Sequence, residues 1–248
     1  MLKHIEKVRL RVSKATDAKH KSQLGQFLTP EATANFMAGM FSQSKSKSKK
    51  CRLLDAGAGI GSLSSAFLDR CLRNELTFKN VRLAAYEVDA VLCPDLNETL
   101  ASYAAKMDFQ YEIKCEDFIE DSICRIQFGI DQGQGFTHVI LNPPYKKIAG
   151  SSRHRLILRE VDIETVNLYS AFVALSILQT VKGGQIVAII PRSFCNGPYY
   201  KSFRDLLLSR CAIKRIHIFE SRATAFKDDG VLQENIIIHL DKGGVQGD

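Results

Sequence analysis

No stretch of this chain approaches the ~20 consecutive apolar residues that a membrane-spanning helix needs, so no span and no membrane partner are expected. The opening residues 1–10 are basic but are not followed by the apolar run of a secretory signal. Cys-x-x-Cys is missing, no two histidines stand at zinc-ligand spacing, and no metal site is expected. The seven cysteines (51, 71, 93, 115, 124, 195 and 211) are odd in number and scattered, and read as mostly reduced thiols packed as small hydrophobes in a cytoplasmic protein. There is no internal repeat. With 45% hydrophobic and 25% charged residues over 248 positions, the composition lacks the biases of disordered, collagenous or coiled-coil chains, and the length suits one large domain or two small ones.

Beyond residue 50 the chain also lacks any excess of positive charge. Residues 1–50 hold 11 Lys and Arg against 3 Asp and Glu, so the whole net charge of +7 belongs to this first segment. Basic arms of this kind contact phosphate or simply stay solvated. The run from Ser42 to Lys50 has no apolar periodicity and reads as a flexible Ser/Lys linker. Before it, Thr29-Pro30-Glu31 predicts an amphipathic helix with Thr29 as N-cap and Pro30 at its first position. The expected organisation is therefore a basic N-terminal extension over 1–50 and a catalytic domain over 51–248.

From residue 51 onward strands and helices alternate. Strands are predicted at 51–55, 81–87, 111–115, 138–142, 185–190, 213–220 and 235–240, and helices at 61–74, 90–106, 166–181 and 198–209. Several strands are continuous apolar runs, as in strands buried on both faces, and the alternation predicts a doubly wound, mostly parallel α/β sheet. No strong helix separates the last two strands, so they are expected to pair as an antiparallel hairpin at the sheet edge.

Ligands of open α/β sheets bind outside the carboxyl ends of the strands. The first strand ends in Asp55-Ala56-Gly57-Ala58-Gly59-Ile60-Gly61, spaced G-x-G-x-G rather than in the G-x-G-x-x-G of a dinucleotide turn. An acid ahead of these glycines suits a cationic ligand better than a pyrophosphate. The second strand ends at Glu87, placed to accept hydrogen bonds from both hydroxyls of a ribose, with Asp89 reading as an ordinary exposed acid or a helix cap. The third ends in Asp117-Phe118, an acid for an adenine amino group and an aromatic to stack on its ring. Together the three loops describe S-adenosylmethionine.

The fourth strand runs into Asn142-Pro143-Pro144-Tyr145, where two prolines make the loop rigid. An exocyclic amine on adenine is a poor nucleophile because its lone pair is delocalised into the ring. The Asn142 side-chain oxygen and the Pro143 carbonyl can accept its two hydrogens, draw the nitrogen toward tetrahedral geometry and free the lone pair for a sulfonium methyl. Tyr145 can stack on the target base, which must leave the duplex to arrive there. The long segment 146–164, with Lys146, Lys147, Arg153, His154, Arg155 and Arg159, reads as a DNA-facing lid that contacts phosphate, or else as a solvated basic loop.

With these residues the chain resembles the N6-adenine-specific DNA methyltransferases of the gamma class, found in type II restriction–modification systems. The resemblance runs from about Leu24 to Leu240 and includes Leu24-Gly25-Gln26-Phe27-Leu28-Thr29-Pro30, which looks like that family's N-terminal cofactor motif. It implies a class I methyltransferase fold, a seven-stranded sheet with an antiparallel C-terminal hairpin strand. It places Thr29, Pro30, Gly57 and Gly59 against the cofactor, with Asp55 supporting the glycine loop. Glu87 falls on the ribose, Asp117 and Phe118 on the cofactor adenine, and Asn142 to Tyr145 on the catalytic tetrapeptide. The stretch from Pro191 to Tyr200 looks like the segment that lends an aromatic to the target-base pocket, with Tyr200 chosen over Tyr199 and Phe194. The partners implied are DNA and a cognate restriction endonuclease. Family members usually carry a target-recognition region after the catalytic domain, and none is expected in 1–248, so either the sequence is truncated or specificity comes from a separate chain. Two other readings stay open. The same tetrapeptide chemistry suits an exocyclic amine in RNA or a protein glutamine, and a non-catalytic subunit could hold the cofactor or DNA.

Overall fold

The computed structural model describes residues 2–15, 27–43, 50–129, 135–219 and 234–247. Most of the Ser/Lys linker, Leu24 to Gln26 of the N-terminal motif and nearly all of the loop before the last strand lie outside these residues.

Seven strands form one sheet: β1 (Lys50–Ala56), β2 (Asn80–Tyr86), β3 (Phe109–Lys114), β4 (Phe136–Leu141), β5 (Thr180–Pro191), β6 (Cys211–Ile218) and β7 (Asn235–Lys242), in the order β3-β2-β1-β4-β5-β7-β6. The first five pair in parallel, and β7 is antiparallel to both β5 and β6. This is the predicted mostly parallel sheet with an antiparallel hairpin strand. Because side chains alternate across a strand, Leu53 of β1 enters one core and Leu54 the other, as do Ile140 and Val139 of β4. The first core packs under helices α1 (Leu2–Ala15), α2 (Glu31–Gly39), α3 (Ser62–Leu72) and α4 (Cys93–Ala104). The second packs under α5 (Phe118–Gln127), α7 (Leu168–Gln179) and α8 (Lys201–Arg210), while α6 (Arg153–Arg159) lies against α5. None of the helices among the described residues is long and apolar enough to cross a membrane.

Four local expectations change. The N-terminal segment is not a bare tail: Leu2, Ile5, Val8 and Val12 recur at helical spacing and seat α1 on the first core. Glu6 of α1 holds Arg9 and also accepts the Glu31 N–H at the start of α2, at 3.0 Å. The second change is at the cap of α2, which begins one residue later than predicted. Pro30 is its N-cap, and the buried Thr29 hydroxyl is turned to another task. Third, the long segment after the tetrapeptide is ordered by α6, capped by the Ser152 side chain. The fourth concerns the thiols, most of which are free as expected while two are not. Cys93 and Cys115 form a disulfide, while Cys51, Cys71, Cys124, Cys195 and Cys211 remain free. β2 and β3 are hydrogen-bonded neighbours, so the loops leaving them run side by side, a proximity that a spacing of 22 residues hides.

Candidate active site

The carboxyl ends of β1, β2, β3 and β4 surround a cavity of about 210 Å³. Phe27, Leu28, Gly57, Gly59, Glu87, Asp117, Phe118, Asn142 and Pro144 all line it, so one space gathers most of the residues singled out from the sequence. A larger groove of about 770 Å³ lies over the open face of β2 and β3 and holds none of them.

The glycine loop is built for close approach. Gly57 and Gly59 both have positive φ, at 85° and 57°. A Cβ on Gly59 would stand 2.8 Å from Leu28 Cδ2, across the cavity wall. Gly59→Ala is therefore expected to turn Leu28 into the cavity and to weaken the ligand about tenfold, with a left-handed-backbone cost of about 1 kcal/mol. Calorimetry beside thermal melting checks this, and an unchanged affinity would show that the loop does not touch the ligand.

Two carboxylates brace that loop from inside. Asp55 is fully buried, and its Oδ2 accepts from the Ser64 hydroxyl and N–H in the first turn of α3, at 2.6 and 3.2 Å. Burial raises its pKa to about 7, the Ser64 bonds oppose that shift, and the nearby Glu87 charge adds to it. Its Oδ1 has no partner among the described residues. Glu87 accepts the Gly59 N–H on Oε2 and the Asp89 N–H on Oε1, each at 2.8 Å. Burial pushes its carboxyl up, against the pull of those backbone bonds. Asp89 departs from its reading as a helix cap: it is buried and accepts the Val91 N–H at 3.1 Å in the turn before α4, whose N-cap is Leu92.

At the third strand end, Asp117 is the N-cap of α5, its Oδ1 accepting from the Ile119 and Glu120 N–H groups at 2.8 and 3.1 Å. Its Oδ2 accepts from His154 Nε2 at 3.0 Å. Burial raises the Asp117 carboxyl, but the His154 bond and the helix N–H groups outweigh it and leave the group below its usual range. The same bond raises His154. Phe118 is buried, edge-on to Tyr86 and 4.9 Å from the Phe172 ring. The cavity lining carries three carboxylates, Glu87, Glu116 and Asp117, against one lysine, Lys146. That balance suits a cation joined to a neutral nucleoside and not a pyrophosphate.

Asn142 is held by its amide nitrogen alone. Nδ2 donates to the Phe27 carbonyl at 2.8 Å and to the Thr29 hydroxyl at 3.1 Å. A carbonyl can only accept, which fixes the amide so that Oδ1 is the atom left over. That oxygen is buried and has no partner among the described residues, in a residue that lines the cavity. A buried acceptor with no donor is costly, and its natural complement is an N–H from a ligand.

The aromatic residues divide. Tyr145 donates its hydroxyl to the Ile189 carbonyl at 3.1 Å, and its ring stands between Phe27 and Tyr169. Tyr169 continues to Tyr200, 5.8 Å between centroids, and Asn167 holds the Tyr200 hydroxyl. Phe194 departs from the expectation. It is buried in the second core and packed edge-on against Phe203, so it offers no face to a base. Arg155 also departs, since its guanidinium turns inward to the Thr165 carbonyl at 2.6 Å and to Glu164. Lys146 and Lys147 are exposed at the start of the segment, and the exposed Arg153 pairs with Glu120. His154, read from the sequence only as part of a DNA-facing lid, instead borders the cavity beside Asp117, and missed altogether were Tyr169 and the pair Leu168 and Phe172, which line the cavity from one face of α7 through their i, i+4 spacing. Among the described residues no group of His, Cys, Asp and Glu is placed to hold a metal ion.

Comparison with known proteins gives the chain a family and a fold. The model of the Eco57I restriction-modification methylase family matches residues 5–226. The chain is 50% identical over 252 aligned residues to the type II methyltransferase M.BsuBI of Bacillus subtilis, covering 100% of this chain and 49% of that protein. It is 41% identical over 247 residues to M.PstI of Providencia stuartii, covering 98% and 48%. The chain thus spans about half the length of the curated relatives it matches. Among solved structures, a class I S-adenosylmethionine-dependent methyltransferase of Listeria monocytogenes superposes with TM-score 0.71 at 14% identity, over 100% of this chain and 69% of that one. A type I restriction–modification assembly gives 0.73 at 13% identity, over 99% and 47%. At such identities these two establish the fold, which is that of the class I methyltransferases.

Proposed function

The chain belongs to the Eco57I restriction-modification methylase family, and on that premise we propose that it methylates the exocyclic N6 of an adenine turned out of duplex DNA, with S-adenosylmethionine as donor. The observation that carries this reading is the amide of Asn142, tied at its nitrogen and open at its oxygen. When bound, the cofactor supplies an electrophilic methyl group on a sulfonium.

The glycine loop and Leu28 hold the methionine end. Glu87 takes the ribose hydroxyls, and Asp117 takes the 6-amino group of the cofactor purine, which lies on Phe118. Asn142 Oδ1 and the Pro143 carbonyl accept the two hydrogens of the target amine and turn its lone pair toward the methyl carbon. The amine nitrogen would take the methyl group as the sulfonium becomes a neutral thioether, and the extra proton on nitrogen would pass to water. Pro144 stiffens the loop, and Tyr145 and Tyr200 wall the base, tied through Tyr169. Lys146, Lys147 and Arg153 serve the phosphates, an electrostatic contact that carries no sequence information. A cognate restriction endonuclease is the expected cellular counterpart.

A labelled-methyl assay tests the reading by offering duplex DNA, single-stranded DNA, RNA and a protein extract side by side, with the product identified by mass. N6-methyladenine in DNA is expected. Label on cytosine, RNA or protein glutamine would overturn the choice of substrate.

A further inference from the structure

Nothing in the local sequence around His154 marks it as part of the cofactor site. It sits on α6, a dozen residues beyond Asn142, and reaches back to the tip of β3. An ionised carboxylate offers about four acceptor positions on its two oxygens. At Asp117 three are filled, by the Ile119 and Glu120 N–H groups on Oδ1 and by His154 Nε2 on Oδ2. One position remains, and both Asp117 and His154 border the cavity. A single open acceptor beside an aromatic floor of Phe118 and Phe172 matches a ligand edge that presents one N–H.

We propose that His154 is the positioning residue that sets the purine specificity of the cofactor site, by filling the second position on Asp117 Oδ2 so that only a 6-amino purine is accepted. The inference rests on the reading of Asp117 as the partner of the cofactor purine. With His154 in place, only one acceptor position is open to the ligand, and a 6-oxo group there sets acceptor against acceptor. Without His154, Oδ2 has a vacant position. A water there can donate one hydrogen to the carboxylate and the other to a 6-oxo group, and the refusal of the oxo form weakens.

The test is the ratio of dissociation constants for S-adenosylhomocysteine and its 6-oxo counterpart, S-inosylhomocysteine, measured by calorimetry. A residue that merely supports the fold changes both constants together, whereas a specificity residue changes their ratio. The unaltered chain is expected to prefer the adenosyl form by about 100-fold, the worth of one hydrogen bond to a charged group. His154→Ala should narrow that preference to about tenfold, and His154→Gln, whose amide N–H can reach the same oxygen, should restore part of it. An unchanged ratio in His154→Ala, with or without a common loss of affinity, overturns the proposal. Asp117→Ala separates the premise from the inference. If that variant keeps the full preference, the purine does not sit at Asp117 and the underlying reading fails. If it loses the preference while His154→Ala keeps it, only the role of His154 fails.

Discussion

Asn142→Ala is expected to lower the rate of methyl transfer by about 10³-fold or more while leaving S-adenosylhomocysteine affinity within about threefold, because the missing oxygen is an acceptor aimed at the target amine. The geometry makes the two effects separable. Nδ2 is committed to the Phe27 carbonyl and Thr29, and Oδ1 accepts no hydrogen bond from any described residue, so the acceptor that meets a substrate ties nothing in the fold. The structural face has a cost of its own. Alanine removes the bonds that Nδ2 gives to the Phe27 carbonyl and the Thr29 hydroxyl, for a stability loss of about 1–2 kcal/mol that thermal melting should register. Asn142→Asp is expected to be as inactive as the alanine variant. Its carboxylate cannot donate to the Phe27 carbonyl, and the resulting repulsion turns the side chain out of place. Single-turnover transfer and calorimetry on the same preparations decide the matter. Rate and cofactor affinity falling together would assign Asn142 to the cofactor and not to the base.

That separability also marks what the sequence could and could not reveal. The strand ends were legible because apolar runs such as Val139 to Leu141 and Ile186 to Ile190 must be strands buried on both faces, and a parallel sheet gathers their carboxyl ends at one edge. Asp55, Glu87, Asp117 and Asn142 therefore met in one place on topology alone. Their partners were another matter. Asn142 and Phe27 stand 115 positions apart, and His154 and Asp117 stand 37 apart, each joined by one hydrogen bond that leaves no periodic trace. Phe194 and Tyr200 were equally aromatic on paper. Burial against Phe203 takes the first into the core, and the bond from Asn167 holds the second by its hydroxyl at the end of the aromatic row. For Arg155, positive charge in a long segment suggested phosphate, but Glu164 and the Thr165 carbonyl claim the guanidinium inside the protein.

Glu87→Ala is expected to weaken S-adenosylhomocysteine by about 1.5–3 kcal/mol, some 10–150-fold, through the loss of charge-assisted hydrogen bonds to the ribose. The structure gives Glu87 a second duty, since its oxygens also hold the Gly59 and Asp89 N–H groups and thus the shape of the glycine loop. A fall in affinity alone would not tell the two duties apart. The 2′,3′-dideoxy analogue of S-adenosylhomocysteine does so, because it keeps every contact of the loop and removes only the hydroxyls. The unaltered chain should prefer the ribose form by about the same 10–150-fold, and Glu87→Ala should bind both forms equally weakly. Glu87→Gln is the sharper variant. Its Oε1 can still accept one backbone N–H, but its NH₂ then faces the other and disturbs the loop, so the preference for the diol should shrink and not vanish. If Glu87→Ala weakens the two ligands by the same factor and keeps the preference, the carboxylate is a brace for the Gly59 turn, and the ribose contact belongs to another group at the tip of β2.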